Sequence, residues 1–328
     1  MSHEALVTFT RSNLDESHHY GAYCVVQDGK VVRRRGDIGV PCFYRSAAKP
    51  IQALAVVESG APDRYGFTKE ELALVVGSHS GAPMHTRAAR SMLGKVGESP
   101  ALLRCGGHTS LDPEVRDAYV REGYRTGRIE DNCSGKHAGM IGAAKAMRAD
   151  PVTYAEPDHP VQQQNLSNIA LLAGLPRDRI DVGIDGCAVP SCAVSLEAMA
   201  RAIERFANPD GLPAGTAAAA QRIADAVWSH PEMVAGGRRF DTHLLRVGKG
   251  RLLPKMGAEG MQTIGVAGER FGIAIKISDG GRRAVEALAS ALLLDLGLLE
   301  TSDLLEFYPR LVKTREGTPV GDVKVRLA

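Results

Sequence analysis

Short apolar runs separated by turn residues open the chain and predict a sheet. Residues 6–10, 22–27 and 30–35 have the composition of strands, and Asp28-Gly29 marks a turn between the second and the third. Strand patterning returns over residues 260–266, 271–277 and 323–327. The sheet is therefore predicted to be built from both ends of the chain.

Apolar positions at helical spacing fill the middle of the chain. One helix is predicted from Ser46 to just before Gly60, and a capping box of Thr68 and Glu71 opens a second one that ends near Gly77. Further helices are predicted over residues 85–96, 113–121, 136–148, 159–175, 195–206, 217–228 and 281–297. The expected fold class is α/β, with one domain over residues 1–328. The strand-rich segments 1–45 and 250–328 form its antiparallel sheet, and the helix-rich segment 46–249 is inserted between them.

Composition and charge exclude several classes of protein. The chain has 328 residues, 44% of them hydrophobic and 24% charged, with a net charge of +2. The basic cluster at residues 33–35 is short and lacks aromatic neighbours, so it indicates a solvated strand end and no nucleic-acid partner. Residues 1–20 lack the apolar stretch of a secretory signal, and residues 284–299 carry two acids and are too short for a membrane span. We expect a cytoplasmic protein with no membrane partner.

Six cysteines are spread through the chain, and without an export signal they are expected to remain thiols. Two of them lie in loops that are rich in glycine and polar residues. Cys133 precedes the predicted helix with Lys136 and His137, and Cys187 follows a strand-like segment at residues 179–184. Taken alone, Cys133, Cys187 or Cys192, and His137 are sulfur and nitrogen donors that suit zinc. A phosphate loop is excluded because position 130 is a glutamate and not a glycine.

Ser46-Ala47-Ala48-Lys49 is the pattern that indicates chemistry. A serine and a lysine three residues apart in a helical turn lie on the same face, so the amine can reach the hydroxyl. The residues that follow are apolar, and an amine drawn into them loses solvation and becomes a better base. The segments at residues 77–81 and 255–260 supply Ser78, Ser80 and Lys255, which could line the same cleft.

In five segments that occur in one order, the chain resembles the rhizobial-type, or class 3, L-asparaginases of the asparaginase II family. These segments are Arg45-Ser46-x-x-Lys49-Pro50, Ser78-His79-Ser80-Gly81, Asn132-Cys133-Ser134-Gly135-Lys136-His137, Asp185-Gly186-Cys187 and Lys255-x-Gly257-Ala258-Glu259-Gly260. The resemblance implies a serine β-lactamase-like fold, a homodimer, and hydrolysis of the side-chain amide of L-asparagine to L-aspartate and ammonia.

The resemblance also implies roles for particular residues. Ser46 and Lys49 form one Ser-Lys pair, Ser78 belongs to a second, and Lys255 occupies the place of the lysine in the β-lactamase K-[ST]-G segment. A zinc ion is implied, with Cys133, Lys136 and Cys187 as ligands and Asp185 supporting them, so that Lys136 takes the place first given to His137. Apart from the resemblance, an amino-acid substrate needs a cation for its carboxylate and an acceptor for its ammonium group, and Arg45 and a later acidic residue are the candidates. Ser80 is a further candidate substrate-binding residue.

Two departures from the penicillin-recognising pattern favour a small amide substrate. Position 80 is a serine where asparagine is usual, and Met256 replaces the hydroxyl residue after the lysine. The expected mechanism is acyl transfer, in which Lys49 removes a proton from a serine, the alkoxide attacks the amide carbon, and backbone amides hold the oxyanion. Ser46 is the preferred nucleophile; in the alternative, Ser78 attacks and Ser46 relays its proton to Lys49. A penicillin-binding or β-lactamase-like acyl enzyme and a non-catalytic, zinc-stabilised binding protein are the alternative functions.

Overall fold

The computed structural model describes residues 3–308 and 311–327. Five positions of the expected domain, Met1, Ser2, Pro309, Arg310 and Ala328, lie outside the described residues. Within the described part, strands of the first 35 residues and strands from residue 252 onward form one eight-stranded sheet. Every pairing in it is antiparallel. The predicted fold class is therefore confirmed: an α/β protein with an antiparallel sheet built from both ends of the chain.

The strands lie in two sheets. The large sheet has the order β10-β11-β1-β2-β9-β8-β7, with β3 added on β2, and a small sheet has the order β4-β6-β5. Their bounds are β1 Glu4–Arg11, β2 Leu14–Gln27, β3 Lys30–Arg35, β4 Cys42–Phe43, β5 Asp181–Ile184, β6 Pro190–Val194, β7 Leu252–Gly257, β8 Met261–Val266, β9 Phe271–Ile277, β10 Leu311–Lys313 and β11 Pro319–Val325. The predicted strands are confirmed, whereas β4, β6, β7 and β10 were not predicted.

The helices of the described residues lie between and beside these strands. Their bounds are α1 Lys49–Glu58, α2 Ala61–Tyr65, α3 Lys69–Val76, α4 Pro83–Lys95, α5 Pro113–Arg121, α6 Ser134–Ala146, α7 Pro160–Ala173, α8 Leu196–Ala207, α9 Ala214–Ser229, α10 Glu232–Ala235, α11 Phe240–Val247 and α12 Arg282–Asp295. The capping box predicted for α3 is present, because Thr68 and Glu71 satisfy each other's backbone amides. None of the described helices is long and apolar enough to cross a membrane.

Two hydrophobic cores lie on opposite faces of the large sheet. Alternate residues of β2 point to opposite sides, so Ala22, Cys24 and Val26 join the core that contains α8 and the central helices. Tyr23 and Val25 join the core beneath α12. Most helices between β4 and β7 thus pack on one face of the sheet, whereas α11 also contributes Phe240 and Leu244 to the core beneath α12. The candidate site lies where these helices meet β7.

Candidate active site

A tight turn leads from β4 into α1 and carries the first candidate residues. Arg45–Ala48 form a 3-10 helix, and Arg45 has a φ of 49°, in the left-handed region that residues with a Cβ rarely adopt. β7 packs against this turn so closely that a Cβ on Gly257 would lie 2.7 Å from the carbonyl oxygen of Tyr44. The glycine therefore allows the strand that carries Lys255 to lie beside the turn.

Lys49 is buried, with 1% of its surface exposed, and its amine has three oxygen neighbours. Its Nζ lies 2.9 Å from the Ser78 hydroxyl oxygen, 2.5 Å from the Gly77 carbonyl oxygen and 3.4 Å from the Asn132 carbonyl oxygen. The helix α1 thus delivers its first residue to the loop that follows α3. Lys49 and Ser78, which the sequence placed in separate pairs, form one hydrogen-bonded pair.

The expected hydrogen bond between Ser46 and Lys49 is not formed within the described residues. An amine has three positions for hydrogen bonds, and the oxygens from residues 77, 78 and 132 occupy all three. Lys49 contacts Ser46 through the backbone instead, since its N–H donates to the Ser46 carbonyl oxygen. The spacing along the chain correctly predicted that Ser46 and Lys49 lie on neighbouring turns. It did not determine the direction of the Lys49 side chain.

The loop after α3 holds Ser78 by backbone contacts. The N–H of Ser78 donates to the carbonyl oxygen of Val234, 2.8 Å away. The next residue, His79, is fully buried, and its Nδ1 accepts from the N–H of Gly81. The proton of this ring is therefore on Nε2, which donates to the Ser134 hydroxyl oxygen at 3.0 Å. Burial holds the pKa of His79 well below its usual value, so the ring stays neutral.

Ser80 lies in the same loop but is enclosed. It is 1% exposed, and its hydroxyl has no hydrogen-bond partner within the described chain. A Cβ on Gly236 would lie 2.5 Å from this hydroxyl oxygen. The structure therefore places Ser80 near Ser78 but beneath Gly236, and it remains a predicted substrate contact without an observed opening.

Lys255 lies in β7 and is completely buried. Its Nζ is 2.9 Å from the Met256 carbonyl oxygen and 3.4 Å from the Asp241 carboxylate. Burial, together with the positive charges of Lys49 and Arg239, lowers the pKa of Lys255 to about 8, although Asp241 acts in the opposite direction. The second candidate lysine therefore belongs to the same charged group as the first.

Cys133, Lys136 and Cys187 meet in one buried cluster. Cys133 precedes α6, Lys136 lies in its first turn, and Cys187 lies in the turn between β5 and β6. Lys136 Nζ is 3.1 Å from Cys187 Sγ. A hydrogen bond from Cys133 and the charge of Lys136 lower the pKa of Cys187 to about 5 against the effect of burial. Burial lowers the pKa of Lys136, but the sulfur atoms of Cys187 and Cys133 outweigh it, and the pKa is raised.

Asp185 and Arg45 form an ion pair beside this cluster. Arg45 Nε donates to the Asp185 carboxylate at 2.8 Å. Burial alone would raise the pKa of Asp185, but Lys136 and Arg45 outweigh it and hold the pKa below its usual value. Asp185 thus interacts with the charges of Lys136 and Arg45, and Arg45 already has a carboxylate partner within the protein.

The donor set of the cluster fits zinc. Two thiols and an amine are donors that zinc accepts, and one thiol is already predisposed to be a thiolate. No group of three or more His, Cys, Asp or Glu side chains that could hold a metal occurs in residues 3–308 and 311–327, so a lysine is needed as the third donor. His137 hydrogen-bonds to the Tyr154 hydroxyl at 2.5 Å. All six cysteines are free, which confirms the predicted thiols.

The two groups of side chains are neighbours. Lys49 reaches the carbonyl oxygen of Asn132, the residue before Cys133, and His79 reaches Ser134, the residue after it. Surface cavities of about 600 and 800 Å³ lie elsewhere and are not lined by the candidate residues. Arg45, Ser46, Asp185 and Arg239 are among the partly exposed side chains of the site.

Sequence reasoning missed two charged residues of the site. Asp241 is buried, and its carboxylate accepts from Lys255, from the N–H of Met256 and from Gln262. Arg239 donates through Nη1 to the Ser78 carbonyl oxygen at 2.5 Å. Both lie at the start of α11, which was not predicted. The signal in the sequence was an acid next to Phe240, in a segment with apolar residues at helical spacing, where a buried carboxylate requires partners.

Several solved structures are similar to this chain. The structure of Mglu in its native form in 4.3 M NaCl is 14% identical, with a TM-score of 0.47, and the match covers 85% of this chain and 61% of that one. A putative β-lactamase from Bacteroides dorei is 14% identical, with a TM-score of 0.41 and coverages of 80% and 86%. A β-lactamase from Mycobacterium bovis is 14% identical, with a TM-score of 0.41 and coverages of 84% and 94%. This chain therefore spans about three fifths of the length of Mglu.

Comparison of the sequence with known proteins gives a family. No curated protein matches the chain at a significant level. The family pattern described as L-asparaginase II matches residues 7–325, which is nearly the whole chain and includes every candidate residue of the site. The chain belongs to the L-asparaginase II family.

Proposed function

We propose that this protein hydrolyses the side-chain amide of L-asparagine to L-aspartate and ammonia by acyl transfer to a serine. The observation that carries the proposal is the 2.9 Å contact between the buried Lys49 amine and the Ser78 hydroxyl. Family membership supports an amidohydrolase of the asparaginase and glutaminase type. A serine with a lysine in hydrogen-bond contact is a nucleophile with its base, which is the arrangement that amide hydrolysis requires.

The contacts of Lys49 are those of a general base. A carbonyl oxygen can only accept a hydrogen bond, so the contacts to Gly77 and Asn132 use two N–H groups of the amine. In the neutral amine these are the only two N–H groups, and the lone pair is left for the hydroxyl proton of Ser78. We therefore assign the nucleophile to Ser78 and not to Ser46, which the sequence favoured.

The reaction then has two halves. Lys49 takes the proton of Ser78, the alkoxide attacks the carboxamide carbon, and the protonated lysine returns its proton to the nitrogen, which leaves as ammonia. An aspartyl ester on Ser78 remains. Lys49, neutral again, takes a proton from water, and the resulting hydroxide attacks the ester and releases aspartate. The proton held by Lys49 then restores the Ser78 hydroxyl.

Lys255 and Asp241 act on this pair from the side of β7. Lys255 lies near enough to Lys49 for the charge of Lys49 to lower its pKa. Its contact with the Asp241 carboxylate links β7 to α11. In the proposed reaction Lys255 contributes positive charge beside the oxygen that becomes negative, which stabilises the transition state in a buried setting. Its lowered pKa means that this charge declines above about pH 8.

Cys133, Lys136 and Cys187 are the residues that would hold zinc. When bound, zinc supplies a Lewis-acid centre that polarises and orients an oxygen or nitrogen of the substrate. Asp185 and Arg45 keep the charge around these donors balanced. We also propose that the protein is a homodimer located in the cytoplasm; sedimentation analysis and cell fractionation test these two statements.

Removing the base tests the proposal. In an assay of ammonia release from L-asparagine, Lys49→Met and Ser78→Ala are each expected to lower kcat/KM by about 10³-fold or more, because each removes one half of the proton-transfer pair. Lys69→Met, at an exposed position of α3, is the matched control and should retain the wild-type rate. Full activity in Lys49→Met would overturn the proposal.

A further inference from the structure

Arg239 is an arginine without a carboxylate partner in a charged, largely buried site. It precedes α11, and its Nη1 donates to the carbonyl oxygen of Ser78 at 2.5 Å. Its Nε is buried and has no hydrogen-bond partner within the described residues. No Asp or Glu of residues 3–308 and 311–327 forms an ion pair with it, whereas the neighbouring Arg238 pairs with Glu114 at 2.9 Å.

The charges around Arg239 do not balance. Asp241 and Glu286 are the acids near enough to act on the charge of Arg239. The Asp241 carboxylate already accepts from Lys255, from the N–H of Met256 and from Gln262, and Glu286 pairs with Arg282. Lys49 and Lys255 add further amines to the same group. A partly desolvated guanidinium that lacks an anion is costly, so its retention here points to an anion supplied by a ligand.

Arg239 also has the appropriate geometry to recognise a carboxylate. The planar guanidinium binds a carboxylate through two parallel N–H groups, and Arg239 holds the Ser78 backbone through only one of its nitrogens. Arg45, the candidate from sequence, is already paired with Asp185. In L-asparagine the α-carboxylate carbon lies about 3–4 Å from the side-chain amide carbon, across three bonds. Arg239, which is hydrogen-bonded to the backbone of Ser78, therefore lies at a distance from the nucleophile that matches the length of the substrate.

We propose that Arg239 binds the α-carboxylate of the amino-acid substrate and thereby restricts the enzyme to amides that carry a carboxylate. This assignment rests on the proposed function for its substrate. Arg239 is a substrate-binding residue that touches no reacting atom. Its contact with the carboxylate holds the amide carbon beside Ser78. This contact cannot form when the substrate has no carboxylate.

The test compares L-asparagine with 3-aminopropanamide, which is the same molecule without its carboxylate. Arg239→Met is expected to lower kcat/KM for L-asparagine about 10²-fold more than kcat/KM for 3-aminopropanamide, mostly through KM, because only L-asparagine carries the carboxylate. Arg239→Lys keeps the charge but loses the planar guanidinium with its parallel N–H groups. Its kcat/KM for L-asparagine should lie between those of the wild type and Arg239→Met. Arg238→Met is the matched control, because it removes the exposed neighbouring arginine and should change neither substrate.

Binding of the product gives a second readout that does not need turnover. L-aspartate, measured by titration calorimetry, is expected to bind Arg239→Met about 10²-fold more weakly than the wild type and Arg238→Met. Equal losses for both amides, or unchanged aspartate binding in Arg239→Met, would overturn the assignment. If the wild type releases no ammonia from L-asparagine, the proposed function fails, while aspartate binding that depends on Arg239 still supports the carboxylate site.

Discussion

At the scale of single residues, the sequence pointed to the candidate side chains of the site but not to their hydrogen-bond partners. Lys49, Ser78 and Lys255 were all predicted from short patterns, and the structure brings them into one buried group. The direction of the Lys49 side chain could not be predicted, because it depends on the carbonyl oxygens of residues 77 and 132, which come from distant segments. Local spacing predicts which residues share a turn, whereas hydrogen-bond partners depend on tertiary contacts.

Lys255 makes the stability of the fold depend on pH. Its pKa is lowered to about 8 in the folded protein, whereas an unfolded lysine has a pKa of about 10.4. Between these values the unfolded chain binds more protons, so the contribution of Lys255 to the free energy of unfolding rises with pH, by about 3 kcal/mol at most. Below pH 8 both states carry the charge, and the contribution is constant and unfavourable.

Chemical denaturation of the wild type and of Lys255→Met from pH 7.5 to 10.5 measures this contribution, with pH values in steps of about half a unit. The stability of the wild type relative to the variant is expected to increase across the range. Lys69→Met is the control, since an exposed lysine should add no such slope. Parallel curves for the wild type and Lys255→Met would show that the folded pKa is not lowered.

At the scale of elements, helical spacing of apolar residues and helix caps predicted most of the helices. Short apolar runs bounded by polar turn residues predicted most of the strands. β7 was missed because it contains Pro254 and Gly257, which usually mark loops. It lies at the edge of the sheet and pairs only with β8 among the described strands, and an edge strand tolerates proline because one side needs no N–H donor. The first half of β2 was missed for another reason: its side chains are mostly polar and exposed.

The close approach of β7 to the turn before α1 predicts a sensitive glycine. In Gly257→Ala the new Cβ would lie 2.7 Å from the Tyr44 carbonyl oxygen and 3.0 Å from the Cβ of Met261. We expect a loss of about 1–3 kcal/mol in the free energy of unfolding, because two backbone segments must move apart. Activity should also fall, since the movement shifts Lys255 relative to Lys49, which directly follows this turn.

Gly94→Ala is the matched control for this substitution. Gly94 lies within α4, and a Cβ there would meet nothing within 4 Å. This variant should be more stable than the wild type by about 0.5–1 kcal/mol, because alanine favours the helix. Denaturant unfolding of both variants checks the pair, and equal stabilities for Gly257→Ala and the wild type would contradict the packing argument.

At the scale of the whole molecule, segments far apart in sequence meet at one site. The hydrogen-bonded pair of Lys49 and Ser78 joins α1 to the loop after α3, β7 adds Lys255, and the turn between β5 and β6 adds Cys187. The prediction of a sheet formed by both ends, with helices inserted, anticipated this arrangement. The small sheet and the helices α10 and α11 were not anticipated, since β4, α10 and α11 have only two, four and eight residues and give little periodic signal. Arg239 and Asp241 were missed with α11.

Zinc content is a prediction at this scale, because its ligands come from two separate segments. The purified protein is expected to bind one zinc ion per chain, and Cys187→Ser should lose it. Binding should weaken as the pH falls, since the proton must leave Lys136 and the thiols before zinc can bind. Metal analysis and zinc titration at pH 6 and pH 8 measure both effects. Unchanged zinc content in Cys187→Ser would contradict the assignment, and Cys24→Ser, a buried cysteine elsewhere, is the control.

The identity of the acylated serine tests the central claim most directly. Lys69 lies between Ser46 and Ser78, so trypsin places the two serines on different peptides. Enzyme mixed with L-asparagine and quenched with acid during turnover is digested, and mass spectrometry locates the aspartyl ester. The account predicts the ester on the peptide of residues 70–87, which contains Ser78, and its absence in Ser78→Ala. An ester on the peptide that contains Ser46 would contradict it.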